Sequence, residues 1–157
     1  MFRGRHNATM DDKGRLKIPT QFREKLFTAY GHNVFITCLS SKGEYVRIYP
    51  LAEWEKIEKT ISQIPFVEPA RQPLEDAVNY YGMEGSVDRQ GRVLIPQVLR
   101  ESAQIERNKV LVLGKTTFIE IWKAELFEKR LSQMSTTNES LHTLTQYRVW
   151  GKEEDKK

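Results

Sequence analysis

The chain has a single cysteine, Cys38, which excludes an internal disulfide framework and suits a reducing compartment. No apolar run approaches the roughly 18 residues that a membrane-spanning helix needs. The first residues, Met1-Phe2-Arg3-Gly4-Arg5, lack the apolar stretch of a secretory signal, so the expected location is the cytoplasm. Its histidines, His6, His32 and His142, stand at no metal-ligand spacing from each other or from Cys38. The glycines form no phosphate-cradling loop and read as turn formers. Cys38 lies in an apolar stretch and reads as core, not as a nucleophile. No catalytic constellation, metal or cofactor is therefore expected, and the chain does not read as an enzyme.

Charge is present but unevenly placed. The 157 residues hold 25 Lys and Arg against 21 Asp and Glu, a net +4. Residues 1–23 hold Arg3, Arg5, Lys13, Arg15, Lys17 and Arg23 against Asp11 and Asp12, which accounts for the whole excess. An ordinary solvated face could carry these residues, yet a focused basic patch is also the footprint of a polyanionic partner.

An internal repeat favours the second reading. Asp11, Gly14, Arg15, Ile18, Pro19 and Arg23 recur as Asp88, Gly91, Arg92, Ile95, Pro96 and Arg100, all 77 residues later. The match continues from Asn33–Thr37 to Lys109–Leu113, from Val46–Tyr49 to Ile119–Trp122, and from Trp54 to Phe127. The offset shrinks only between these segments, so the deletions fall in loops. Each repeat is small for a stable core of its own, and the two are expected to pack as one folded unit. The division read here is 1–64 for the first repeat, 65–82 for a linker and connecting helix, 83–135 for the second repeat, and 136–157 for a C-terminal extension with a charged tail.

Each repeat reads in the same order. Short strands are expected near 6–11 and 15–18, and again near 84–88 and 92–95, around an Asp-x-x-Gly-Arg turn. Gly14 and Gly91 fall where a tight turn or bulge needs positive φ. Asp11 and Asp88 can accept the backbone N–H groups of that turn. Pro19 and Pro96 suit the first position of a helix, the first running over 19–27 with Phe22 and Leu26 on one face. Hairpins follow over 33–39 and 44–49, then over 109–114 and 117–122. Pro50 opens a helix to about Ile64, with Leu51, Trp54, Ile57, Ile61 and Ile64 on one face. Its counterpart, 124–134, turns Phe127, Leu131 and Met134 inward. A helix over Pro73–Tyr81, ended by Gly82, joins the halves.

The doubled Asp-x-x-x-Arg element with Ile-Pro and a short helix resembles the MraZ family, within the wider AbrB-like swapped-hairpin group. Met1-Phe2-Arg3-Gly4 and Tyr49-Pro50-Leu51-Ala52-Glu53-Trp54 belong to the same resemblance, which spans nearly the whole chain. It implies an α+β fold of two tandem AbrB-like repeats in a double-split β-barrel with flanking helices. It implies a ring-like homo-oligomer and a nucleoid-associated transcriptional regulator. Its targets would be short G-containing repeats in double-stranded DNA near its own operon, within the bacterial division and cell-wall gene cluster. The family's DNA-contacting arginine falls on Arg15 and the neighbouring basic position on Lys13. The second motif keeps Arg92 but has neutral Gln90 in place of Lys13.

The residues carry part of this reading themselves. An arginine at an exposed turn can enter the major groove and donate to guanine O6 and N7, while a lysine beside it suits phosphate. Arg15 can equally pair with Asp11 and brace the turn; both readings stand at this point. The candidate DNA-binding residues are Arg15, Lys13, Arg5, Arg3, Lys17, Arg92 and Arg89, with Asp11, Gly14, Asp88 and Gly91 forming the turns. Tyr80, Tyr81, Tyr147 and Trp150 could stack on bases but read as packing or subunit contacts. The competing reading is an antitoxin-like protein-interaction module. Against it stand the two repeats and the short tail of mixed charge.

Overall fold

The computed structural model describes residues 1–107, 109–134 and 138–147. The charged tail and Trp150 lie outside the described residues. Within them the architecture is α+β, with eight strands and six helices.

The first repeat supplies β1 (Arg5–Thr9), β2 (Arg15–Lys17), α1 (Thr20–Ala29), β3 (Asn33–Thr37), β4 (Val46–Pro50) and α2 (Leu51–Ser62). α3 (Arg71–Tyr80) connects it to β5 (Met83–Ser86), β6 (Arg92–Leu94), α4 (Gln97–Ser102), β7 (Lys109–Gly114) and β8 (Ile119–Trp122). α5 (Ala124–Gln133) and α6 (Asn138–Gln146) close the described chain.

Each half completes its sheet with strands of the other. The larger sheet runs β1-β7-β8-β4-β3-β5, all antiparallel neighbours, and a second sheet consists of β2 and β6. Exchanging the repeats leaves this order unchanged when read backwards, so the chain carries an internal two-fold. Thr9 pairs with Lys109 as Ser86 pairs with Asn33. The axis passes through the Leu16–Val93 pair of the small sheet and the Arg47–Glu120 pair of the large one. No closed barrel is seen among the described residues: the strands form two sheets, tied at the Met10–Leu16 bridge.

The larger sheet is covered on both faces. On one, Phe35 stacks on Trp54 at 4.6 Å, and Tyr49, Trp54 and Val78 form a cluster with Leu74 and Phe118. The opposite face carries Val34 and Ile36, both fully buried. A Cβ added at Gly85 would touch Ile36, Val34 and Val93 together, which puts the small sheet on this side. Leu16 and Val93 are its inward residues, at 0% and 1% exposure. Burying them contributes about 1.5–3 kcal/mol each. A one-residue slip would turn them outward, so this pair fixes which face of the small sheet meets solvent.

The helices begin one residue later than proline chemistry alone suggests. Pro19, Pro50 and Pro96 are N-caps, with φ of −51°, −52° and −53° and ψ near 137–138°. That extended ψ lets each strand-side segment end before the helix turns. Residues Met1–Ala124 form one compact unit. Trp54 and Ile61 of α2 are buried inside it, while Ile57 and Ile64 are half-buried. The second unit, Glu125 onward, departs from the expected pattern. Leu131 and Met134 are more than half exposed, so these two do not point into a core, whereas Phe127 is half-buried. The described part of this unit consists of short helices.

Candidate nucleic-acid interface

The candidate element is a turn held by one carboxylate. Asp11 Oδ1 accepts the backbone N–H groups of Lys13 (2.9 Å) and Arg15 (2.8 Å), and Oδ2 accepts the Arg15 Nε–H at 2.9 Å. Asp11 N–H donates to the Arg15 carbonyl, and Gly14 N–H to the Asp11 carbonyl. Gly14 takes φ +79°, a left-handed conformation that a side chain would strain. Above all the Arg15 backbone N–H, then its side chain, holds the Asp11 carboxyl below its ordinary pKa.

The second turn repeats the backbone but with a longer ion pair. Asp88 Oδ1 accepts Gln90 and Arg92 N–H, both at 2.9 Å, and Gly91 has φ +80°. The Arg92 N–H is the main cause that lowers the Asp88 carboxyl. Arg92 Nε, however, stays 3.4 Å from Asp88 Oδ2 and is buried without a hydrogen-bond partner. Arg15 is thus more firmly oriented than its counterpart.

The small sheet gathers the basic side chains. Arg15 lies opposite Leu94 and Lys17 opposite Arg92, flanking the inward Leu16–Val93 pair. Alternation therefore puts Arg15, Lys17, Arg92 and Leu94 on the outer face of an antiparallel two-stranded ribbon. Such a ribbon fits the width of a DNA major groove. Lys13 is exposed in the first turn, Arg89 and Gln90 in the second. The two-fold equates Lys13, Arg15 and Lys17 with Gln90, Arg92 and Leu94. Leu94 is 47% exposed, an apolar residue where symmetry would call for a second lysine.

Arg5 and Arg3 are not brought to the ribbon's tip. Arg5 stands on β1 opposite Leu113, five residues before the Met10–Leu16 bridge, or about 16 Å along an extended chain. Arg3 lines a recess with Glu24, Lys25 and Thr28 beside α1.

Most of the remaining candidates pack against the protein's own residues. His6 packs on the Phe22 ring at 4.8 Å and His32 on Phe27 at 4.2 Å. Cys38 is fully buried, and burial pushes its thiol up, the opposite of an activated nucleophile. Tyr81 is buried and donates to the Ser41 carbonyl, whereas Tyr80 and Tyr147 are exposed. Sequence reasoning noted Arg23 and Arg100 as matched positions without a role. It also missed the Lys17–Leu94 equivalence, which the 77-residue offset already contained.

Fold and site together define a class: a duplicated, strand-exchanged α+β protein that presents one Asp-braced basic turn twice. The chain belongs to the MraZ family. The family model described as "MraZ protein, putative antitoxin-like" matches residues 1–76 and 83–147. A transcriptional regulator MraZ of Acidobacterium capsulatum is 43% identical over 147 residues, covering 94% of this chain and 99% of that protein. The one from Koribacter versatilis is 37% identical over 145 residues, covering 92% and 97%. That of Thiobacillus denitrificans is 33% identical over 142 residues, covering 90% and 94%.

Proposed function

We propose that this chain is a sequence-specific, DNA-binding transcriptional regulator that reads short G-containing repeats with the turn and ribbon of its first motif. Its target is the DNA of its own operon and of the division and cell-wall gene cluster, and it works nucleoid-associated in the cytoplasm. The observation that carries this is the outer face of the β2–β6 ribbon, where Arg15 and Lys17 stand beside exposed Lys13. Asp11 holds Arg15 through Nε alone, so the terminal guanidinium nitrogens have no partner among the described residues. Bracing and base reading are therefore compatible roles of one side chain. Relatives named as transcriptional regulators support the same reading.

In this reading the two tied sheets are the double-split barrel that the family resemblance implies. Several copies assemble as a ring that sets successive Arg15 turns along one rim. Weak contacts to successive DNA repeats then add through effective concentration. A gel-shift titration against the DNA upstream of its own gene, at several salt concentrations, tests the proposal. Binding to that DNA over a scrambled duplex, weakening steeply with salt, is the expected result. Equal binding to both sequences, or none, would sink it, and the antitoxin-like reading would then gain ground. Light scattering should give a mass several times 18.4 kDa, and two DNA repeats at matching spacing should bind far tighter than one.

A further inference from the structure

The last arginine of each motif lies behind the turn of the other repeat. A Cβ placed on Gly14 would fall 2.4 Å from Arg100 Cζ and 2.6 Å from its Nε. One placed on Gly91 would fall 2.6 Å from Arg23 Cδ and 2.9 Å from its Nη1. Each turn glycine is therefore covered closely by the arginine on the other repeat's first helix, α4 or α1. Backbone bonds cross in the same sense: Ile95 N–H donates to the Gly14 carbonyl at 3.0 Å, and Ile18 N–H to the Gly91 carbonyl at 2.8 Å. Arg100 is itself fixed. Its Nε donates to the Ile95 carbonyl at 3.0 Å, Nη1 lies 3.7 Å from Glu106, and the side chain is 17% exposed. It thus packs against the first turn while bonded to Ile95 and Glu106 of its own repeat.

We infer that Arg100 is a positioning residue for the first turn, so that the second repeat sets how Lys13 and Arg15 are presented to DNA. Only glycine leaves room for a guanidinium at that distance, and only a planar cation fills the space as a sheet. The first turn is the charged one, so Arg100 governs it, while its counterpart Arg23 supports a turn that carries Gln90. The two arginines are equivalent by symmetry and unequal in consequence. This inference rests on the proposed DNA-binding function.

The test compares wild type with Arg100→Ala, Arg100→Lys, Arg23→Ala, Arg15→Ala and Arg15→Ala/Arg100→Ala in the full chain. Affinity for the upstream duplex and for a scrambled duplex, the salt slope, and amide exchange at Lys13–Arg15 are measured. Arg100→Ala should lose about five- to tenfold of the discrimination between duplexes, because a pre-ordered turn becomes mobile. Its salt slope should stay unchanged and the Arg15 amide should exchange faster. Arg100→Lys should not restore discrimination, Arg23→Ala should lose less, and Arg100→Ala should add nothing once Arg15 is absent. A salt slope lower by about one would make Arg100 a phosphate contact and overturn the inference. So would lower thermal stability with discrimination intact. If wild type binds neither duplex, the proposed function fails by itself. Exchange at Lys13–Arg15 then decides, and equal rates in wild type and Arg100→Ala would overturn the positioning role.

Discussion

Arg47 on β4 stands directly opposite Glu120 on β8, its Nε 2.9 Å from Oε2, on the internal two-fold axis. The two residues are the same position in the two repeats, filled by opposite charges. Trp122 Nε1 donates to the other Glu120 oxygen at 2.7 Å, and Arg47 also donates to the Tyr49 hydroxyl at 3.0 Å. The guanidinium lies over the Phe118 ring at 4.6 Å. Burial here pushes the nearby Tyr45 hydroxyl up to about 12. Two first repeats joined in this register would set Arg47 against Arg47.

Removing one partner of this pair should be costly. Glu120 is 4% exposed, and Arg47→Met would leave its carboxylate without the cation, a loss on the order of 3 kcal/mol. Arg47→Met/Glu120→Leu should recover much of that loss in urea denaturation. Additive losses in the double variant would show that the pair is not coupled.

Arg15→Ala should cost about 1–3 kcal/mol of specific DNA binding and relax the preference at one base position. Thermal stability should change little, since the Asp11 carboxyl keeps its two backbone donors. A large drop in melting temperature alongside unchanged relative affinities would leave bracing as its sole role.

The unequal faces of the ribbon predict a gain as well as a loss. Arg92→Ala should harm DNA binding less than Arg15→Ala, because the second motif has Gln90 and Leu94 where the first has Lys13 and Lys17. Gln90→Lys/Leu94→Lys would rebuild the first face on the second repeat. Its affinity for any duplex should rise, and its log–log salt slope should steepen by up to about two units per engaged subunit. An unchanged slope would remove the second face from the interface.

Acid should loosen both turns. The Asp11 and Asp88 carboxyls are held below their ordinary pKa chiefly by the backbone N–H groups of Arg15 and Arg92. A depressed folded-state pKa contributes stability that is complete above the unfolded-chain value of about 3.9 and is lost as pH falls below it. Amide exchange or NMR shifts at Lys13–Arg15 and Gln90–Arg92 should therefore change below about pH 4, and Asp11→Asn should remove that change from the first turn. A first turn whose acid transition is untouched by Asp11→Asn would count against the carboxylate as its brace.

What the residues themselves determined is local. The 77-residue offset exposes the duplication, and Gly14 and Gly91 adopt the positive φ that their turns demand. Pro19, Pro50 and Pro96 mark helix starts to within one residue, because proline fixes its own φ whatever surrounds it. The basic excess around residues 1–23 is likewise plain in the order of residues. The exchange of strands between halves was not legible, since β1 with β7 and β3 with β5 join residues far apart in the chain. Alternation can tell which residues of β1 share a face, but it does not name the strand alongside. The same distance hid Arg100 behind Gly14 and Arg23 behind Gly91. It also hid the exposure of Leu131 and Met134, whose spacing looks like that of the apolar residues of α2. Periodicity records which side of an element is apolar; the surface that meets that side is chosen by non-local packing, and only the assembled fold contains it.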